Sequence, residues 1–182
     1  MQNTGSGNSS INGPAAERRP TDCGDFDIEI ARDGTWYYRG SAIRRPALVK
    51  LFASVLRREA DGTYCLATPA ERGRITVADI PFVAVEVTAT GDGRNRVLIF
   101  RTNLDDIVTA GPENPLRVVT TAAGEPRPYI EVRDGLEARL TRSVFYELVE
   151  LGGYETCNGE VQFGVWSNGR FFSLGDPGGE TE

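Results

Sequence analysis

Five short turn signals constrain this chain more than anything else in it: Asp33-Gly34, Asp61-Gly62, Gly91-Asp92-Gly93, Asp134-Gly135 and Asn168-Gly169. Such pairs accept left-handed backbone and close hairpins between short antiparallel strands. The segments between them carry matching patterns. Phe26 to Ile30 alternates apolar with acidic residues, the mark of a half-buried strand, and Thr35-Trp36-Tyr37-Tyr38 returns beside it. Further strands are expected at 63–68, 82–89, 96–102, 116–121, 128–133 and 136–140. A closing hairpin runs Val161–Trp166 and Phe171–Leu174.

Two segments break the strand pattern. Pro46 suits the first position of a helix, and Leu48, Leu51, Phe52, Val55 and Leu56 follow one helical face, so a helix is expected over 46–58 with Arg57 and Arg58 in its last turn. A second helix is expected near 143–151, with Phe145, Leu148 and Val149 inward and Gly152-Gly153 ending it. Residues 103–115, with Gly111, Pro112 and Pro115, read as an irregular connection.

Hairpin, helix and strand thus occur twice in the same order, and Ile28-Glu29-Ile30 with Asp33-Gly34 parallels Ile130-Glu131-Val132 with Asp134-Gly135. The expected fold is α+β: two small lobes with a repeated hairpin–helix–strand core and mostly antiparallel sheet, spanning 21–80 and 81–176. Residues 1–20 hold one large apolar residue beyond Met1, Ile11, and read with 177–182 as disordered tails.

Composition removes several functions. The 182 residues are 40% hydrophobic, enough for a core without disulfides or structural metal. Histidine is absent, which excludes Ser-His-Asp and Cys-His nucleophiles, HExxH zinc sites and imidazole bases. Cys23, Cys65 and Cys157 are odd in number and widely spaced, so neither a disulfide framework nor a cysteine zinc site is expected, and a reducing, cytoplasmic setting is. No apolar run approaches the roughly 20 residues of a membrane span, and the N-terminus carries no signal-peptide pattern.

CGDFDIEIARDGTWYYRGSAIRRPALVKLF, PFVAVEV, LIFRTNLDDIVTAGPENPLRV and PRPYIEVRDGLEARLTRSVFYELVE together resemble an uncharacterised proteobacterial domain-of-unknown-function family, over nearly all of residues 23–174. The resemblance implies a two-lobed α+β fold with a repeated core and a second lobe superficially like a pleckstrin-homology module. It also implies a nucleotide-like ligand between the lobes and a signalling role. It carries over no catalytic residue.

Charge supplies the candidate sites. Residues 31–58 hold seven cations, Arg32, Arg39, Arg44, Arg45, Lys50, Arg57 and Arg58, against Asp33 alone, in a chain of net charge −6. With Trp36 among them they could clamp phosphate and stack a base, or simply be solvated. A global −6 speaks against an extended nucleic-acid footprint. Thr102 and Asn103 could fix a polar ligand at a strand end or close a turn. Arg45 and Arg142 each precede a helix, where a cation is unfavourable without a partner. With Tyr129 and Tyr146 they could meet on one anion, or they could bridge the lobes. The acids Asp25, Asp27, Asp105 and Asp106 match no metal-ligand spacing. The leading reading is a cytoplasmic, non-catalytic module for a small anionic, nucleotide-like ligand held by Arg44, Arg45, Arg142, Trp36, Tyr129, Tyr146, Thr102 and Asn103, with no metal or cofactor. The alternatives are a protein-interaction or homodimer module using the C-terminal hairpin, and a histidine-free enzyme using carboxylates.

Overall fold

A computed structural model describes residues 21–175 of the chain; the expected tails lie outside the described residues. The first lobe runs β1 (Thr21–Ile30), β2 (Trp36–Tyr38), β3 (Ser41–Ala42), α1 (Pro46–Ser54), β4 (Leu56–Arg58), β5 (Tyr64–Ala67) and β6 (Glu71–Val77). The sheet order is β3-β2-β1-β6-β5-β4. The alternation in β1 does what its pattern dictates: Ile28 and Ile30 are buried, while Asp27 and Glu29 are exposed. At the β1–β2 turn Gly34 takes φ +84°, and the Asp33 carboxylate accepts the Thr35 N–H at 2.9 Å.

α1 is shorter than its apolar spacing predicts. It stops at Ser54, and Leu56–Arg58 instead pair with Tyr64–Leu66 as a strand. The Asp61-Gly62 turn folds β5 back on whatever precedes it, and that pairing overrides the helical period of Val55 and Leu56. Arg57 and Arg58 therefore lie on a strand rather than in a helical turn.

The second lobe runs β7 (Phe82–Thr90), β8 (Val97–Thr102), β9 (Ile107–Thr109), β10 (Leu116–Thr120), β11 (Pro126–Arg133), β12 (Leu136–Leu140), α2 (Arg142–Leu151), β13 (Gly153–Cys157), β14 (Glu160–Ser167) and β15 (Arg170–Ser173). Strands β7–β12 form a sheet in the order β10-β11-β12-β7-β8-β9, and β13–β15 form a separate antiparallel meander. Thr141 caps α2, its side chain accepting the Val144 N–H at 3.4 Å. The meander is fastened to the larger sheet by buried Ser167, whose hydroxyl accepts the Leu98 N–H at 2.9 Å and donates to the Ala110 carbonyl at 2.8 Å.

In both lobes a hairpin leads to a helix and then to a three-stranded meander. The two differ in closure. In the first lobe β6 pairs parallel with β1 and merges the meander into the hairpin's sheet. In the second the meander stays separate, and it is β7 and β12 that pair in parallel. The chain is thus α+β and two-lobed, with one buried cluster running from Trp36, Val49 and Leu56 through Phe82 and Phe100 to Leu148 and Phe172. No described helix is long and apolar enough to cross a membrane.

Candidate functional site

The first turn of α2 is the starting point. A helix N-terminus leaves unpaired N–H groups and partial positive charge, and α2 has no acid in its first turn to offset it. Instead its first residue is Arg142. Beside it β11 contributes Arg127 and β12 contributes Arg139, and these guanidinium-bearing residues line one concavity of about 610 Å³ with Thr141, Phe145 and Tyr146. Pro126 and Pro128 form part of its wall, and Glu125 lines it as well. Among the described residues neither Arg127 nor Arg142 is in an ion pair. Tyr146 is 58% exposed, so its ring is available to a neighbour.

The other expected site residues lie elsewhere. Arg45 is the exposed residue capping α1 and does not line the cavity of Arg142; Arg44, beside it, is exposed as well. Trp36 is in the core at 1% exposure, its ring stacked 6.3 Å from that of Phe52. Tyr129 is buried beneath Arg117, whose guanidinium sits 4.4 Å from the ring centre and is gripped by both oxygens of Glu137, at 2.6 and 2.7 Å. Thr102 is fully buried, and its hydroxyl accepts the N–H groups of Leu104 and Asp106, a turn-closing arrangement. Asn103 joins the lobes: Oδ1 accepts the Val83 N–H at 3.0 Å, and Nδ2 donates to the Gly34 carbonyl at 3.4 Å.

The basic window 31–58 disperses in space. Arg39 pairs with Asp27, Lys50 with Asp105, Arg57 donates to the Leu56 carbonyl, and Arg58 reaches the Gly135 carbonyl in the second lobe. Arg127 and Arg139 were not among the expected site residues. The signal for them is the strand period: Arg127 and Tyr129 are two apart on β11, and Arg139 is the cross-strand partner of Tyr129.

Carboxylates with displaced pKa values are all lowered. Asp105 is lowered chiefly by the hydrogen bond from Lys50, Asp33 by the Thr35 backbone N–H, and Asp61 by the Thr63 hydroxyl. Each is thereby held as an anion, opposite to what a general acid needs. Asp25 and Asp27 line a separate concavity of about 520 Å³ with Glu29, Arg39 and Arg74. Among the described residues no cluster of three acids, cysteines or histidines is arranged to hold a metal.

The pattern of known proteins agrees with the two-lobed fold. Residues 13–80 match the model described as "Domain of unknown function (DUF1285), N-terminal domain", and residues 81–174 match "Protein of unknown function (DUF1285), C-terminal domain". The chain belongs to the DUF1285 family. A solved family member from Silicibacter pomeroyi DSS-3 is 47% identical, with a TM-score of 0.81 over 91% of this chain and 90% of that one. Another, from Shewanella baltica OS155, is 25% identical, with a TM-score of 0.53 over 68% of this chain and 90% of that one. No curated protein matches the chain. The resemblance drawn from the motifs is thus a family membership, and the family's description assigns no activity.

Proposed function

We propose that this DUF1285 protein is a non-catalytic module that binds a small anionic ligand in the cavity of Arg127, Arg139 and Arg142. The observation that carries the reading is the convergence of these arginines at the acid-free first turn of α2, two of them without a carboxylate partner among the described residues. A guanidinium at a helix N-terminus raises the local positive potential, so a bound anion relieves a repulsion as well as making charge-assisted bonds. The exposed Tyr146 ring offers a face to an aromatic group attached to that anion, so a phosphate monoester or nucleotide is the preferred chemistry. A signalling role is part of this reading. The unpaired thiols of Cys23, Cys65 and Cys157 favour a cytoplasmic setting. Arg45, Trp36, Tyr129, Thr102 and Asn103 have no part in this cavity.

Calorimetric titration with phenyl phosphate and with nucleoside monophosphates tests the reading. Arg127→Ala and Arg142→Ala should each weaken binding about tenfold, since a charge-assisted bond contributes roughly 1.5–3 kcal/mol. Arg57→Ala, which alters a side chain bonded to its own strand, should leave it unchanged. Equal affinity in wild type and both cavity variants overturns it.

A second reading rests on a different surface. β13 is an edge strand, and Tyr154 and Val161, on β13 and β14, are 66% and 69% exposed. Edge-to-edge pairing through β13 would make a homodimer. The hairpin's Phe171 and Phe172 add little to such a contact, since Phe172 is buried and Phe171 partly so. Equilibrium sedimentation of wild type and Thr156→Pro, which removes an edge N–H, distinguishes a dimer from a monomer.

A further inference from the structure

Arg139 belongs to two structures at once. It lines the cavity of Arg127 and Arg142. It also fastens the lobes: one terminal nitrogen donates to Asp79 Oδ2 at 3.2 Å, and the other donates to the Arg32 carbonyl at 2.6 Å. Asp79 lies on the link between β6 and β7, and Arg32 lies in the β1–β2 turn, so both partners come from the first lobe or its exit. The pair is shielded, with side-chain exposures of 29% for Arg139 and 19% for Asp79. Charges in such surroundings interact more strongly than at an open surface.

We propose that a bound anion and the Asp79 carboxylate compete for the Arg139 guanidinium, so that filling the cavity loosens the clamp between the lobes. The inference rests on the anion-site reading above and adds its regulation. Two negative groups facing one guanidinium repel each other and divide its donors. An anion drawing Arg139 toward Arg127 and Arg142 leaves Asp79 and the Arg32 carbonyl short of a partner. By linkage the effect is reciprocal: whatever weakens the Asp79 contact strengthens anion binding by the same factor. The buried cluster shared by the lobes, from Trp36 through Phe82 and Phe100, keeps them attached while Arg139 moves. The consequence is a local release of the β1–β2 turn rather than separation of the lobes.

The test uses phenyl phosphate as probe on the full chain. Asp79→Asn keeps the size of the side chain and a carbonyl oxygen for Arg139 while removing the competing charge. It should bind the probe about tenfold more tightly than wild type, within the range typical of coupled sites. Asp79→Ser is the second variant should the first unfold, with the same direction expected. In hydrogen exchange, saturating probe should speed the amides of Ala31, Gly34 and Ala78 in wild type; these bond to Thr35, Ala31 and Ile30 in the turn and link. In Asp79→Asn they should be fast already and respond little. If both Asp79 variants bind no tighter than wild type while Arg142→Ala still weakens binding, the site stands and the competition is wrong. If Arg127→Ala and Arg142→Ala bind as wild type does, the site itself fails and the coupling falls with it.

Discussion

Asn103→Ala separates a structural role from a ligand role at a residue with the chemistry for either. In the structure its carboxamide oxygen accepts the Val83 N–H, and Val83 is 8% exposed. Truncation leaves that N–H in a site with little access to water, at a cost of roughly 1–3 kcal/mol. The Nδ2 bond to the Gly34 carbonyl is long, at 3.4 Å, and adds little. Asn103 also fills the space beside the turn: a Cβ built on Gly34 would come within 2.6 Å of Nδ2. Removing the side chain therefore opens a gap at the lobe junction as well. A total of about 2 kcal/mol follows, equivalent to about 4–8 °C in Tm for a chain of this size. Urea denaturation measures the free energy, and titration of phenyl phosphate measures binding on the same sample. The expected result is a lower midpoint with unchanged affinity. A loss below about 0.5 kcal/mol, or a loss of affinity without a loss of stability, refutes the structural assignment.

Ser167→Ala removes the acceptor of the buried Leu98 N–H and the donor to the Ala110 carbonyl, so it should cost about 2–4 kcal/mol in a denaturation series. Thr141→Ala, which uncaps α2, should cost about 0.5–2 kcal/mol and should be largely rescued by Ser. Gly34→Ala should destabilise more than an ordinary turn substitution, because its φ of +84° and the nearby Asn103 amide both oppose a Cβ. Burial pushes the Cys65 thiol up to about 11, helped by its hydrogen bond to Glu59. Its folded pKa exceeds the unfolded value, so its stabilising contribution is full below about pH 9 and is lost as pH rises toward 11. A Cys65→Ala variant should show a shallower alkaline fall in Tm, and in native wild type exposed Cys23 should react with iodoacetamide well before Cys65.

The legible parts of the fold were those carried by local pattern. β1 shows its buried face in a strict alternation, and α2 buries Phe145 and Leu148 as its spacing predicts, though Val144 is buried and the expected Val149 only half so. What local pattern leaves out is pairing between distant segments. Residues 71–77 read ERGRITV, an inward face of only Gly73, Ile75 and Val77 between exposed Arg72 and Arg74, yet they form β6 because β1 and β5 lie on either side. Gly73 is needed there for a reason that only the tertiary fold reveals: the Phe26 ring occupies the space a side chain would take. The same applies to the site. Arg142 and Tyr146 are neighbours on one helix and were grouped from sequence, whereas Arg127 and Arg139 join them only through strand register. Arg45 was linked to Arg142 by analogy of position, and analogous positions in two lobes need not share a cavity. Trp36 and Thr102 carry polar atoms suited to a ligand, but their burial is set by neighbours far along the chain.

The parallel pairing of β1 with β6 has a consequence for synthesis. β1 lacks its inner neighbour until residues 71–77 have left the ribosome, and until then the hairpin's open side offers unpaired amides and carbonyls to any passing strand. The second lobe repeats the situation, since β7 waits for β12. Each lobe therefore has a first strand that must remain uncommitted for most of its own translation. The acidic residues Asp22, Asp25, Asp27 and Glu29 are exposed along β1, and like charges on two nascent chains would repel. The hairpin's outward acids are therefore placed to keep two such open edges apart, at an edge that the finished sheet no longer has.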